Sequence, residues 1–127
     1  MKRILVVEDD NTIRQLIVAS VHKVARSHEI EVEINEAKDA QEAKTHIDTH
    51  GQYDLVCLDW NFPGGGGKTV LPFLRQVHPT TRVIVVSGQD IDEARSIANK
   101  EGIKDENILR KPFMWEQFRK VLSELLI

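Results

Sequence analysis

Four short strand-like runs in this sequence each end on side chains that can do chemistry. Ile4–Val7 runs into Glu8, Asp9 and Asp10, Leu55–Leu58 into Asp59, Val83–Val86 into Ser87, and Asn107–Arg110 into Lys111. Brought to one place, they would assemble three or four carboxylates, a hydroxyl and an amine. Clustered carboxylates repel one another, so such a site needs a cation at neutral pH. Hard oxygen donors, with no histidine or cysteine among them, favour Mg²⁺ over zinc. A carboxylate on Mg²⁺ beside a lysine and a hydroxyl is equipped to accept a phosphoryl group. The metal and the lysine neutralise the phosphoryl oxygens and the hydroxyl donates a hydrogen bond. The carboxylate itself is the nucleophile, and the product is an acyl phosphate. Strands do end at the surface, so polar residues there are routine; chance supplies this chemical mix less readily.

The elements that must position these groups are legible as periodicity. Ile4–Val7, Leu55–Leu58 and Val83–Val86 are apolar on both faces, as strands of a parallel sheet covered by helices are. Glu31–Asn35 alternates polar and apolar, which predicts an edge or half-exposed strand, and Asn107–Arg110 predicts a short fifth. Between them, Ile13, Leu16, Ile17, Val21 and Val24 recur at helical spacing, with Asp10 or Asn11 placed to cap the start. Ala40, Ala43 and Ile47 predict a second helix, and Val70, Leu71, Leu74 and Val77 a third. Pro72 is tolerable in that third helix only if it starts near Thr69, leaving the proline in the first turn. Ile91, Ala94 and Ala98 predict a thinly striped fourth, and Met114, Phe118, Val121, Leu122 and Leu125 a fifth. Strand and helix thus alternate five times, and right-handed crossovers give a doubly wound α/β domain with a five-stranded parallel sheet. In such a sheet the ligand crevice lies beyond the carboxyl ends of the strands, where the four runs deliver their polar residues.

Glu8-Asp9-Asp10, Asp59-Trp60-Asn61-Phe62-Pro63 with Gly67 beyond, Ser87-Gly88 and Lys111-Pro112-Phe113 together resemble the ordered signature of response-regulator receiver domains. The resemblance covers essentially the whole chain, and Asp59-Trp60-Asn61-x-Pro63 is similar to single-domain chemotaxis regulators. It implies the flavodoxin-like (βα)5 fold with strand order 2-1-3-4-5, an order that rests on the resemblance and not on the residues themselves. It also implies roles: Asp59 as phosphoacceptor, Asp9 on Mg²⁺ directly, Glu8 through a water, and Asn61 through its backbone carbonyl. Ser87 would bond one phosphoryl oxygen and Lys111 another, and the Lys111–Pro112 bond would be cis. Asp10 is read as a helix cap. Three residues before the lysine, the family commonly carries an aromatic that swings inward; here Ile108 stands there, stiff at χ1.

Other features are weighed against that reading. Gly64-Gly65-Gly66-Gly67-Lys68-Thr69 looks like the end of a phosphate-binding loop, but the pattern needs a glycine where Phe62 stands. A nucleotide hydrolase is set aside on that ground, and the glycines are expected to form a mobile loop beside Asp59. Trp60 is expected to be partly exposed at the rim, and Trp115 to pack at the start of the last helix. The histidines, His22, His28, His46, His50 and His78, are expected at the surface without metal-ligand spacing. Cys57 sits in an apolar run and reads as a buried reduced thiol.

With 127 residues, 41% hydrophobic and 29% charged, the chain is one ordinary domain, residues 1–127. A net charge of −3 argues against a sequence-independent nucleic-acid binder. No signal segment or bilayer-spanning stretch stands out, so a cytoplasmic location without membrane contact is expected. The leading function is a phosphorylation switch loaded by a histidine kinase or histidine phosphotransfer protein and read by an unidentified downstream protein. Enzymatic character would be secondary: phosphoryl uptake from small donors and self-dephosphorylation. The alternative is a receiver-like interaction domain that no longer uses phosphate, against which the intact Glu8, Asp9, Asp59, Ser87 and Lys111 count. No output segment follows the fifth helix, which leaves open a stand-alone regulator or a piece of a longer protein.

Overall fold

A computed structural model describes residues 1–88 and 91–127. Along the chain run β1 (Lys2–Val7), α1 (Asn11–Ser27), β2 (Val32–Ala37), α2 (Ala40–Thr49), β3 (Leu55–Asp59), α3 (Gly67–Val77), β4 (Arg82–Ser87), α4 (Ile91–Lys100), a 3₁₀ turn (Asp105–Asn107), β5 (Ile108–Arg110) and α5 (Trp115–Leu126). The five strands form one parallel sheet in the order β2-β1-β3-β4-β5.

The two-residue period of the strands divides the core into two layers. Ile4, Val6, Leu55, Cys57, Ile84, Val86 and Leu109 point to one face, where Ile17, Val21 and Val24 of α1 and Phe118, Leu122 and Leu126 of α5 cover them. Leu5, Val7, Val56, Leu58, Val83, Val85 and Ile108 point to the other, beneath α2, α3 and α4. Strand residues 4–7, 55–58 and 83–86 are therefore buried on both sides, each side chain contributing about 1.5–3 kcal/mol of apolar burial. Cys57 lies in the first layer, free and buried, and burial pushes its thiol up to about 12.

Register fixes the level of the strand ends. Val7 pairs with Leu58, Asp59 with Val86, and Ser87 with Arg110. The next residues of each strand, among them Glu8 and Lys111, consequently emerge on one rim. Asp10 caps α1, its Oδ1 accepting from the Ile13 N–H at 2.9 Å. Asp39 does the same for α2 through the Glu42 N–H at 2.8 Å.

Several expectations need correction. The second strand runs to Ala37, past Asn35, because β1 offers it a partner along its full length. Leu16 and Met114 are exposed, so the buried stripe of α1 is Ile17, Val21 and Val24, and that of α5 is Phe118, Val121, Leu122 and Leu126. Helix α3 begins at Gly67, two residues before the expected start, which moves Pro72 out of the first turn and into the helix proper. A proline there removes one ladder hydrogen bond and crowds the preceding turn. Pro72 is exposed, so no packing depends on its ring. Pro72→Ala should raise stability by about 2 kcal/mol, the helix penalty exceeding the gain in unfolded-chain entropy. Urea denaturation measures this; a neutral or destabilising result would return the helix start to Thr69.

Candidate functional site

At the carboxyl ends of the strands lies an open depression of about 470 Å³, lined by Glu8, Asp9, Asp10, Ile13, Asp59, Asn61, Gly88 and Lys111. A larger one, about 570 Å³, lies at the opposite end of the sheet, but its arginines are already engaged: Arg75 donates to the Glu101 and Thr81 carbonyls, and Arg82 to that of Leu125. The chemistry is at the first.

Carboxylate oxygens of Glu8, Asp9 and Asp59 all lie within 4.8 Å of one another. Glu8 and Asp59 are buried and Asp9 is exposed, so the cluster has two fixed members and one at the mouth. Lys111 reaches in from the end of β5, its Nζ 2.9 Å from Glu8 Oε1 and 3.3 Å from Asp59 Oδ1. Its backbone N–H donates to the Ser87 carbonyl at 2.8 Å, and the following bond to Pro112 is cis. The Asn61 N–H points to Asp59 Oδ1 at 3.4 Å, and the Asp10 N–H to Glu8 Oε2 at 3.3 Å. Among the described residues Ser87 Oγ is buried without a hydrogen-bond partner. A buried hydroxyl left unpaired costs about 1–3 kcal/mol, which marks it as a group awaiting a ligand atom.

Charge explains the titration of the site. Burial pushes Glu8 up to about 7, and the negative Asp59 adds to the shift while Lys111 opposes it. For Lys111 burial pulls downward, but the hydrogen bond to Glu8 and the charge of Asp59 outweigh it, and its pKa is raised. Three converging carboxylates with a single lysine between two of them are a donor set short of positive charge. A hard divalent cation fits that set: Asp9, Asp59 and Glu8 offer carboxylate oxygens, and Asn61 lines the same depression.

All the site residues singled out in the sequence, Glu8, Asp9, Asp59, Asn61, Ser87 and Lys111, thus come to this rim. Arg14 is a contributor that sequence reasoning misses. It lies on the buried side of α1, donates to the Glu8 carbonyl at 3.0 Å and pairs with Glu36 at 2.9 Å, so it fixes the backbone that carries Glu8. A lone charge in step with Ile17, Val21 and Val24 is the available signal. Trp60, expected to be partly exposed at the rim, is only 2% exposed. Its ring packs beneath Gly67, where a Cβ would come within 2.6 Å of the indole Cε3. The glycine stretch expected to be a mobile loop closes on it: Gly66 has φ +69° and caps α3, and the Gly67 N–H donates to the Trp60 carbonyl at 2.9 Å. Trp115 packs edge-on to Phe113 and Phe118 at the start of α5, as expected.

A family model described as the response regulator receiver domain matches residues 4–123. The chain belongs to that family. Receiver domains of known structure superimpose closely: that of Francisella response regulator 1452 at TM-score 0.79 and 29% identity, covering 98% of this chain and 96% of that one. That of NtrX from Brucella abortus gives 0.76 and 30%, covering 97% of each. A response regulator receiver domain from Clostridium thermocellum gives 0.80 at 23% identity over 99% and 94%, a likeness of fold. Among curated proteins, transcription factor SKN7 of Candida albicans is 29% identical over 98% of this chain, and response regulator protein PilR of Pseudomonas aeruginosa 23% identical over 98%. The chain spans 21% and 26% of their lengths. Among the described residues no helix is long and apolar enough to cross a membrane.

The pH dependence of this receiver domain follows from Glu8. Its folded pKa is raised from 4.5 to about 7, so the folded state holds the proton more tightly than the unfolded chain. The stability from that proton is complete below pH 4.5 and is lost as pH rises through about 7. In Mg²⁺-free buffer, wild type should therefore lose stability relative to Glu8→Gln across that window. Urea melts of both proteins at several pH values test it; parallel profiles would show that burial does not hold a proton on Glu8.

Proposed function

We propose that this receiver domain is a phosphorylation switch of a two-component system, with Asp59 as the phosphoacceptor. The observation that carries the reading is the convergence on Asp59 of Lys111 and two further carboxylates, at the strand ends where Ser87 also carries a buried hydroxyl with no partner among the described residues. Mg²⁺ would be held by Asp9 and Asp59, with Glu8 and the Asn61 carbonyl completing the set, and would supply charge neutralisation at the phosphoryl oxygens. Asp59, fixed at the end of the central strand, presents Oδ1 as nucleophile. Lys111 shifts its pairing from that carboxylate toward an incoming phosphoryl oxygen. Ser87 donates its hydroxyl proton to another. The P–O bond to Asp59 forms as the bond from phosphorus to the donor breaks, and the donor leaves with the electron pair.

The donor is a phosphohistidine of a kinase or phosphotransfer protein, and a downstream protein reads the changed surface. Phosphoryl uptake from small donors and self-dephosphorylation are secondary activities of the same site. A cytoplasmic location, without nucleic acid or membrane contact through this domain, goes with that role.

Incubation with Mg²⁺ and acetyl phosphate should add the mass of one phosphoryl group to wild type and none to Asp59→Asn, and chelation of Mg²⁺ should abolish the addition. Equal modification of the two proteins would refute the assignment.

The route of the signal follows from Ile108. It is buried under α4 and in register with Val85, a core residue and not a surface reporter. Output then passes through the segment after Ser87 and through α4, which buries only Ile91, Ala94 and Ala98. Gln89 and Asp90 of that segment lie outside the described residues. With a phosphate mimic bound, hydrogen exchange should change across 88–98, and Ile108→Ala should leave phosphorylation nearly intact. Identical exchange in α4 with the site demonstrably occupied would exclude this route.

A further inference from the structure

In sequence the histidines read as lacking metal-ligand spacing, yet one pair has it. His46 and His50 are four residues apart at the end of α2, His50 serving as its C-cap, and both are half-buried. Their ring centroids are 5.0 Å apart with the planes tilted by 34°. Side chains at i and i+4 share one helix face, and two imidazoles so placed can chelate one ion.

The hydrogen bonding of His46 prepares it as a ligand. Its Nε2 lies 3.0 Å from the backbone carbonyl of Glu36 in β2. A carbonyl oxygen only accepts, so Nε2 carries the proton. In the neutral ring Nδ1 is then a lone pair, and among the described residues this atom is buried without a hydrogen-bond partner. A ring nitrogen anchored on a backbone carbonyl, with the other nitrogen free, is the arrangement found behind metal-bound histidines. The His50 ring rests against that of His46, and among the described residues no hydrogen bond fixes its rotation.

We propose that His46 Nδ1 and the His50 imidazole form a second, transition-metal site on α2, separate from the acidic rim and independent of phosphorylation. The carboxylate cluster takes a hard ion, whereas two neutral imidazoles select a borderline one such as Ni²⁺, Cu²⁺ or Zn²⁺. Among the described residues no third histidine, cysteine or carboxylate joins the pair, so the two rings are the ligands the protein supplies.

The test uses the full chain with Mg²⁺ saturating the acidic rim. Ni²⁺ is titrated and amide NMR signals are followed. Paramagnetic broadening should centre on residues 46–50, and Zn²⁺ should compete it away. His50→Ala and, separately, His46→Gln should each weaken binding at least about tenfold, while His22→Ala leaves it unchanged. His50 caps the helix end on the surface, so His50→Ala keeps the test valid even if His46→Gln perturbs the fold. Undiminished Ni²⁺ affinity in His50→Ala, or broadening confined to Glu8, Asp9 and Asp59, would overturn the proposal.

Discussion

The crowding of negative charge where β1 and β3 end is the constraint around which this receiver domain is organised. Two buried carboxyl groups, Glu8 and Asp59, sit within reach of each other and of Asp9. Left uncompensated, buried like charges either take up protons or push the strand ends apart. Lys111 supplies the compensating charge inside the fold, and it can do so only because β5 pairs with β4. The sheet register is therefore an electrostatic requirement as well as a packing one. A one-residue slip of β1 would invert the faces of Ile4–Val7 and carry Glu8 away from Lys111 in the same movement. Arg14 adds a second restraint by holding the Glu8 carbonyl from α1 while it pairs with Glu36.

How much of this is legible in the sequence depends on whether a feature is local or emergent. Buried parallel strands announce themselves as unbroken apolar runs, and the residues following them have to share a rim once the sheet is parallel. That logic brings Glu8, Asp9, Asp59, Ser87 and Lys111 together from sequence. Strand order comes only with the family resemblance, because periodicity does not specify neighbours. Trp60 is misread because nothing in its own surroundings in sequence shows Gly67 folding back to cover its ring; the contact exists only after α3 starts early. Leu16 and Met114 fit helical stripes but lie outside the covered arc, since a stripe says which face is apolar and not how wide the partner is. Arg14 and the Nδ1 of His46 owe their significance to distant carbonyls, of Glu8 and Glu36, which spacing along the chain cannot reveal.

The elements flanking the site are held with unequal strength, and that inequality decides where a change at Asp59 can be felt. Helix α5 is tied down by Phe118, Val121, Leu122 and Leu126, with Trp115 edge-on to Phe113 and Phe113 stacked on Phe118 at its start. Helix α4 buries one isoleucine and two alanines. Its first turn is further joined to α3 by Lys68 and Glu93 at 2.8 Å, an exposed pair of the kind that contributes little. Lys68 holds the Glu93 carboxyl below its usual range, and the Trp60 indole N–H contributes more weakly; that N–H is buried yet lacks a partner in good hydrogen-bond geometry. Among the described residues, Trp60 Nε1 and Ser87 Oγ are therefore buried polar atoms without a well-formed hydrogen bond, at the ends of neighbouring strands next to the least anchored helix. Satisfying the serine hydroxyl is worth about 1–3 kcal/mol, comparable with the apolar burial of a single side chain. Free energy of that size is too small to dislodge α5, with its four buried apolar side chains. It is closer in size to what holds α4, which buries Ile91, Ala94 and Ala98 and packs Ile97 partly against the same core.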